Sequence, residues 1–216
     1  GGPGDNTYDD PAIALILDPG GNDTYTNVAG VDGAAGRPLA LVIDAAGNDR
    51  YVGTQPFTLG GASLGAAVLV DAAGDDTYTG TLVTQGAAAG GGALLLDLGG
   101  TDTYTAERHA QGAALGGIGV LIDREPEGGP AEAGRDQYRV VCFGQGFART
   151  NGVGLLLDGH GNDHYTAGGA YPYIPQAPEH HYAHAQGFAI GVREQGFAGG
   201  IGMLVDVAGD DTYTVE

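Results

Sequence analysis

The chain has 216 residues, 43 of them glycine, and a formal charge of −19 from 27 acids against 8 bases, all arginine. That balance leaves no basic stripe for nucleic acid, and no apolar run reaches the roughly 18 residues of a spanning helix. The lone Cys142 rules out an internal disulfide framework and a Cys-built zinc site.

Reading along the chain, a partial motif opens it at Gly4-Asp5-Asn6-Thr7-Tyr8. The first full copy, Leu-Ile-Leu-Asp-Pro-Gly-Gly-Asn-Asp-Thr-Tyr-Thr at 15–26, returns at 41–52, 68–79, 94–105, 155–166 and 203–214. A further copy at 120–139 carries eight extra residues in its turn. Tyr8, Tyr25, Tyr51, Tyr78, Tyr104, Tyr138, Tyr165 and Tyr213 mark the register, with spacings of 17, 26, 27, 26, 34, 27 and 48. Seven residues after several of these tyrosines comes Gln-Gly, at Gln85, Gln111 and Gln145, and again at Gln186 after the long insertion. Each repeat reads as three extended pieces: an aliphatic run ending in Asp, a Thr-Tyr-Thr piece and a Gln-Gly-Ala-Ala piece. Glycines every few residues make helices unfavourable, at about 1 kcal/mol each. A fixed coil of about 26 residues predicts an all-β chain, a right-handed parallel β-helix with three strands per coil. The alternative, a twisted β-sandwich, needs no fixed coil length. Residues 1–216 form one solenoid domain, with insertions at about 124–134 and 167–185.

Stacked coils turn each repeat position into a ladder of like residues about 4.8 Å apart. The tyrosines are expected to point inward against the small Gln-Gly-Ala pieces, with the Gln ladder as one source of partners for their hydroxyls. In the aliphatic piece, the positions one and three before the Asp (Leu17 and Leu15, Ile43 and Leu41, onward to Val205 and Met203) are expected to face the core. The position between them then faces outward: Ile16, Val42, Leu69, Leu95, Leu121, Leu156 and Leu204. A stripe of large aliphatics about 30 Å long reads as a packing face, for a homodimer or an adjacent domain.

Fourteen of the 20 aspartates occupy two motif positions. One row ends the aliphatic strand: Asp18, Asp44, Asp71, Asp97, Asp123, Asp158 and Asp206. The other stands two before Tyr: Asp23, Asp49, Asp76, Asp102, Asp136, Asp163 and Asp211. Like charges about 5 Å apart repel by roughly 3 kcal/mol at an effective dielectric of 20. The columns therefore need cations between coils, or turn N–H donors and continued solvation.

The segments Gly21-Asn-Asp-Thr-Tyr, Gly47-Asn-Asp-Arg-Tyr and Gly161-Asn-Asp-His-Tyr resemble the calcium-binding nonapeptide of RTX (hemolysin-type) repeats, Gly-Gly-x-Gly-x-Asp-x-hydrophobic-x. The resemblance covers about nine residues of each coil. It implies Ca²⁺ held between coils, with Asp23, Asp49, Asp76, Asp102, Asp136, Asp163 and Asp211 as the matching ligands and tyrosine as the inward hydrophobic residue. The strand-end aspartates stand at the same corner, so all fourteen are candidate ligands. The match departs in period and first glycine, at the inverted Asp5-Asn6, and at Arg135-Asp136, read as lacking the preceding glycine.

His160, His164, His180, His181 and His184 cluster in and beside the second insertion, and long excursions from a rigid repeat are where binding concentrates. They form a candidate metal or ligand loop. The Thr-x-Thr rows look like those of β-helical ice-binding proteins, but Arg50, Val52, Gln137, Arg139 and His164 interrupt them. Right-handed β-helices often carry carbohydrate lyases and hydrolases. Only Glu107-Arg108-His109 and Arg193-Glu194 support that here, and repeat-positional acids favour structure over catalysis. The expected role is a structural or adhesive, secreted or cell-surface module, calcium-braced at its acidic corner, that meets a carbohydrate or another surface ligand. The chain begins inside a repeat and is expected to be part of a longer protein.

Overall fold

The computed structural model describes residues 1–125, 134–169, 171–174, 177–181, 183–192, 196 and 198–216. It is a parallel β-solenoid. Eight strands form one sheet around the tyrosines: Thr7–Tyr8, Thr24–Thr26, Arg50–Gly53, Thr77–Thr84, Thr103–Ala110, Gln137–Gly144, His164–Ala167 and Thr212–Val215. Seven form the aliphatic sheet: Leu15–Asp18, Leu39–Asp44, Ala62–Asp71, Ala88–Asp97, Gly117–Asp123, Gly152–Asp158 and Ile201–Asp206. Pairing is parallel and in register in both, tyrosine on tyrosine and strand-end Asp on strand-end Asp. The Gln-Gly-Ala piece makes a narrower third side. It is Val31–Asp32 beside Ala62–Ser63, then single bridges from Ala88 through Ala114 and Ala148 to Ala189. The backbone supplies the reason: His109 and Gln111, like Phe143 and Gln145, have positive φ. Two left-handed residues bracketing each bend interrupt the extended chain.

The tyrosine rings stack coil on coil, with centroids 4.6–4.9 Å apart and planes within 12° of parallel. Tyr25 through Tyr165 are fully buried. Across from them lie Ile16, Val42, Leu69, Leu95, Leu121 and Leu156, also buried, with Leu204 packed at the end of the same core. This corrects the expected parity. The row anticipated as an interface is the core, and the rows one and three before the Asp face outward. Leu15 and Leu17, at one end of the stack, are more than half exposed. The cause is the strand-end Asp, which is itself buried. With period-two alternation, an inward Asp carries the residue two before it inward as well. The small Ala87 and Ala113 pack instead with Val83 and Phe147 in a separate cluster at the third side.

In the second insertion, Pro172–Ile174 and Ala177–His181 pair as an antiparallel hairpin. Most of the first insertion, 126–133, lies outside the described residues. On the tyrosine sheet, Arg50, Gln137 and His164 share one ladder with Thr24, Thr77, Thr103 and Thr212. No uninterrupted threonine face exists there.

Candidate metal centre

The two Asp columns meet along one edge, joined in each coil by the turn between the aliphatic and tyrosine strands. At the strand ends, Oδ1 of Asp18, Asp44, Asp71, Asp97 and Asp158 accepts the backbone N–H two residues on, at 3.0–3.2 Å. This is the Asx turn that aspartate favours. Oδ2 accepts a tyrosine hydroxyl: Tyr51 donates to Asp71 at 2.6 Å, Tyr78 to Asp97 at 2.7 Å and Tyr104 to Asp123 at 2.8 Å. Tyr138 reaches both Asp123 and Asp158 at 2.8 Å, and Tyr25 donates to Asp44. The buried phenols are therefore satisfied by carboxylates. The Gln ladder does a different job, since Nε2 of Gln85, Gln111 and Gln145 donates to backbone carbonyls of two successive coils.

The second column is tied along the solenoid axis. Oδ1 of Asp49 accepts the Asp23 N–H of the preceding coil, and Asp76, Asp102, Asp136, Asp163 and Asp211 repeat the contact at 2.5–3.0 Å. The exposed residue just before runs the other way, with Oδ1 of Asn22, Asn48 and Asp75 accepting an N–H from the following coil. So Gly-Asn-Asp links a coil to both neighbours. The glycine is obligatory: a Cβ at Gly47 would overlap the Gly21 carbonyl oxygen, and one at Gly74 would overlap that of Gly47. Gly134 holds the same column beneath Gly161, so the Arg135-Asp136 copy retains its glycine after all.

Oδ2 of the second column has a different fate. In Asp23, Asp49, Asp76, Asp102, Asp136 and Asp163 it is buried with no hydrogen-bond donor. These residues are 0–2% exposed, so of the two alternatives the one that keeps the carboxylates solvated does not hold for them. Each of these residues stands beside strand-end carboxylates. Asp49, Asp71 and Asp76 bring acceptor oxygens within 4.8 Å of one another, as do Asp76, Asp97 and Asp102, then Asp102, Asp123 and Asp136, and Asp136, Asp158 and Asp163. Burial first, then the charge of the strand-end carboxylates, raises Asp76, Asp102 and Asp136 far above the usual carboxylate range. Burial likewise lifts Asp158 and Asp163 to about 7.

The edge thus has the chemistry to hold a positive partner, and its clusters of buried aspartate can hold a metal ion. All the donors are hard carboxylate oxygens, which suit Ca²⁺ in kind. Ca²⁺ takes about six to eight oxygens, so a cluster that gives one oxygen from each of three carboxylates would need bidentate carboxylates, backbone carbonyls or water to complete the shell. A proton needs no shell.

The histidines do not assemble. His160 stands exposed in an edge turn, His164 exposed on the tyrosine sheet, and His180 and His181 exposed in the hairpin. His184 lies at the opposite corner, stacked on Phe188 at 4.6 Å. Glu107 is exposed, whereas Arg108 and His109 turn toward that same corner; Arg193 and Glu194 lie outside the described residues. Among the described residues, no helix is long and apolar enough to cross a membrane. Comparisons with protein-family models, with curated proteins and with solved structures return no match, so the likeness of the turn to RTX repeats rests on the residues quoted above.

Proposed function

We propose that the chain is a structural β-solenoid module, a stiff rod in a secreted or surface protein, whose acidic edge is closed by protons shared between paired carboxyl groups. One observation carries this reading: an orphan Oδ2 recurs in six successive turn aspartates, each opposite strand-end carboxylates. A proton on that oxygen converts a repulsive pair into a hydrogen bond and restores a donor to every buried acceptor. The same burial argues against hydrolase or lyase chemistry through these acids, because a catalytic carboxyl must reach its substrate. Calcium bracing is the second reading, favoured by the three-carboxylate clusters. Thermal melts at pH 5 and pH 8, with EDTA or with millimolar CaCl₂, separate the two. Proton closure predicts a lower Tm at pH 8 and no response to calcium. A calcium brace predicts a rise in Tm with CaCl₂ that grows with its concentration.

The rod's apolar partner face belongs on the outward rows, Leu41 and Ile43 through Leu155 and Leu157. These rows cross five coils without a charged residue. The occupant we propose is a second copy of the chain, since a stripe parallel to the axis is self-complementary under a two-fold. Sedimentation of the wild type and of the double variant Leu94→Lys/Leu96→Lys tests it. A wild-type dimer that becomes monomeric in the variant supports the assignment, and a wild-type monomer refutes it.

A further inference from the structure

We propose that the corner opposite the acidic edge holds a binding site for a small ring compound bearing a carboxylate. A cleft of 340 Å³ opens there, walled by His109, Phe143, Phe147, Arg149, Tyr171 and His184. Its size is at the low end of small-molecule sites and suits one or two rings.

Two residues before each Gln-Gly the column reads Val83, His109, Phe143 and His184, and two after the Gln it reads Ala87, Ala113, Phe147 and Phe188. Phe57 stands in the first column as well, one coil before Val83, but imidazoles enter that column, and aromatics enter the second, only in the coils beside the second insertion. The structural chemistry of the chain repeats in every coil; this chemistry occurs once.

The rings form a continuous wall. His109 stacks on Phe143 at 4.9 Å, Phe147 lies tilted against Phe143 at 5.2 Å, and Tyr171 of the insertion meets Phe143 edge-on at 6.2 Å. Tyr171 is fixed in turn by Arg108, which donates to its hydroxyl at 3.1 Å and lies over its ring at 5.0 Å. Phe143 and His109 hold positive φ values of 59° and 51°. Phe57 and Val83 hold the same conformation in earlier coils, so the bend belongs to the repeat, and what is particular to this corner is the row of rings mounted on it.

Charge selects the ligand class. The chain carries 27 acids, yet none lies among the described residues lining this cleft, whereas Arg149 does. A guanidinium matches a carboxylate with two parallel hydrogen bonds. His109 adds a polar group without charge: burial, then Arg108 and Arg149, pushes it down to about 4, and its Nδ1 is buried with no hydrogen-bond partner. Flat aromatic walls, one fork of positive donors and a neutral imidazole fit a ring with one carboxylate. An acidic sugar and an aromatic acid both supply that chemistry.

Isothermal titration of the whole chain with a galacturonate disaccharide and with 4-hydroxybenzoate, beside neutral galactobiose and 4-hydroxybenzamide, tests the site and identifies the source. The expected result is saturable binding of one acid, with its neutral partner and the Arg149→Gln variant each weaker by about tenfold or more. Because Arg149 also takes part in a backbone turn, Tyr171→Ala serves as a second variant. It lies outside the coil core and should weaken the same acid. Failure of both acids to bind, equal binding of a neutral partner, or undiminished binding by both variants overturns the proposal.

Discussion

Replacing Asp102 by asparagine tests the state of the acidic edge directly. In the fold, Oδ1 of Asp102 accepts the Asp76 N–H at 2.6 Å, while Oδ2 is buried without a donor beside Asp97 and Asp123. Asparagine has the same shape. Its carbonyl can keep the first contact, and its NH₂ can donate where a protonated Oδ2 would. Burial and the charges of Asp97 and Asp123 raise the Asp102 carboxyl in the folded state, whereas in the unfolded chain it titrates near 3.9. Between those values the folded protein holds a proton that the unfolded chain releases, so stability falls as pH rises. One such group contributes a slope of about 1.4 kcal/mol per pH unit. Asparagine removes that slope, and Asp102→Asn should therefore gain on the wild type by about 2.7 kcal/mol between pH 5 and pH 7. Urea unfolding followed by circular dichroism in EDTA, at pH 5, 6 and 7, provides the measurement. Parallel pH profiles for the two proteins would refute the argument, because they would mean that Asp102 is ionised in the fold. Asp97→Asn is the control with the opposite sign. Its carboxylate accepts the Tyr78 hydroxyl and the Gly99 N–H, so an NH₂ facing a hydroxyl donor should destabilise at every pH.

Tyr78→Phe keeps the ring stack but removes the 2.7 Å donor to Asp97, and chemical unfolding should register a loss of about 1.5–3 kcal/mol. Leu95→Ala opens a cavity in the fully buried row and should cost about 3–5 kcal/mol. Leu96→Thr on the outward row should cost under about 1 kcal/mol in the same assay if measured at monomer concentration; equal losses at both positions would contradict the inward assignment. Gly74→Ala places a Cβ against the Gly47 carbonyl, at a positive φ of 151°, and should lower the melting temperature by more than Gly36→Ala, where a Cβ meets open space.

The period, the parallel stacking and the common edge of the fourteen aspartates were all legible in the sequence, because a ladder fold copies each position directly into space. The parity was not, and the reason is specific. Counting hydrophobic residues in Leu15-Ile16-Leu17-Asp18 gives no answer, since three aliphatics in a row satisfy either face. The decisive residue is the polar one. A buried tyrosine hydroxyl needs an acceptor, and the strand-end carboxylate is placed to provide it. Once Asp18 and its counterparts are inward, Ile16, Val42 and Leu69 must follow. Taking the apolar rows one and three before the Asp as the inward ones left Asp outside and inverted the strand. Proximity in sequence gathers His160 through His184, but the coil disperses them. The corner bearing His109, Phe143, Phe147 and Arg149 was hidden for the converse reason. His109 lies a full coil from the other three, and the residues occupy different columns, so the informative signal was a break in the repeat at fixed offsets from Gln-Gly. In a solenoid, residues that recur hold the rod together, and a ligand is met where a column stops repeating.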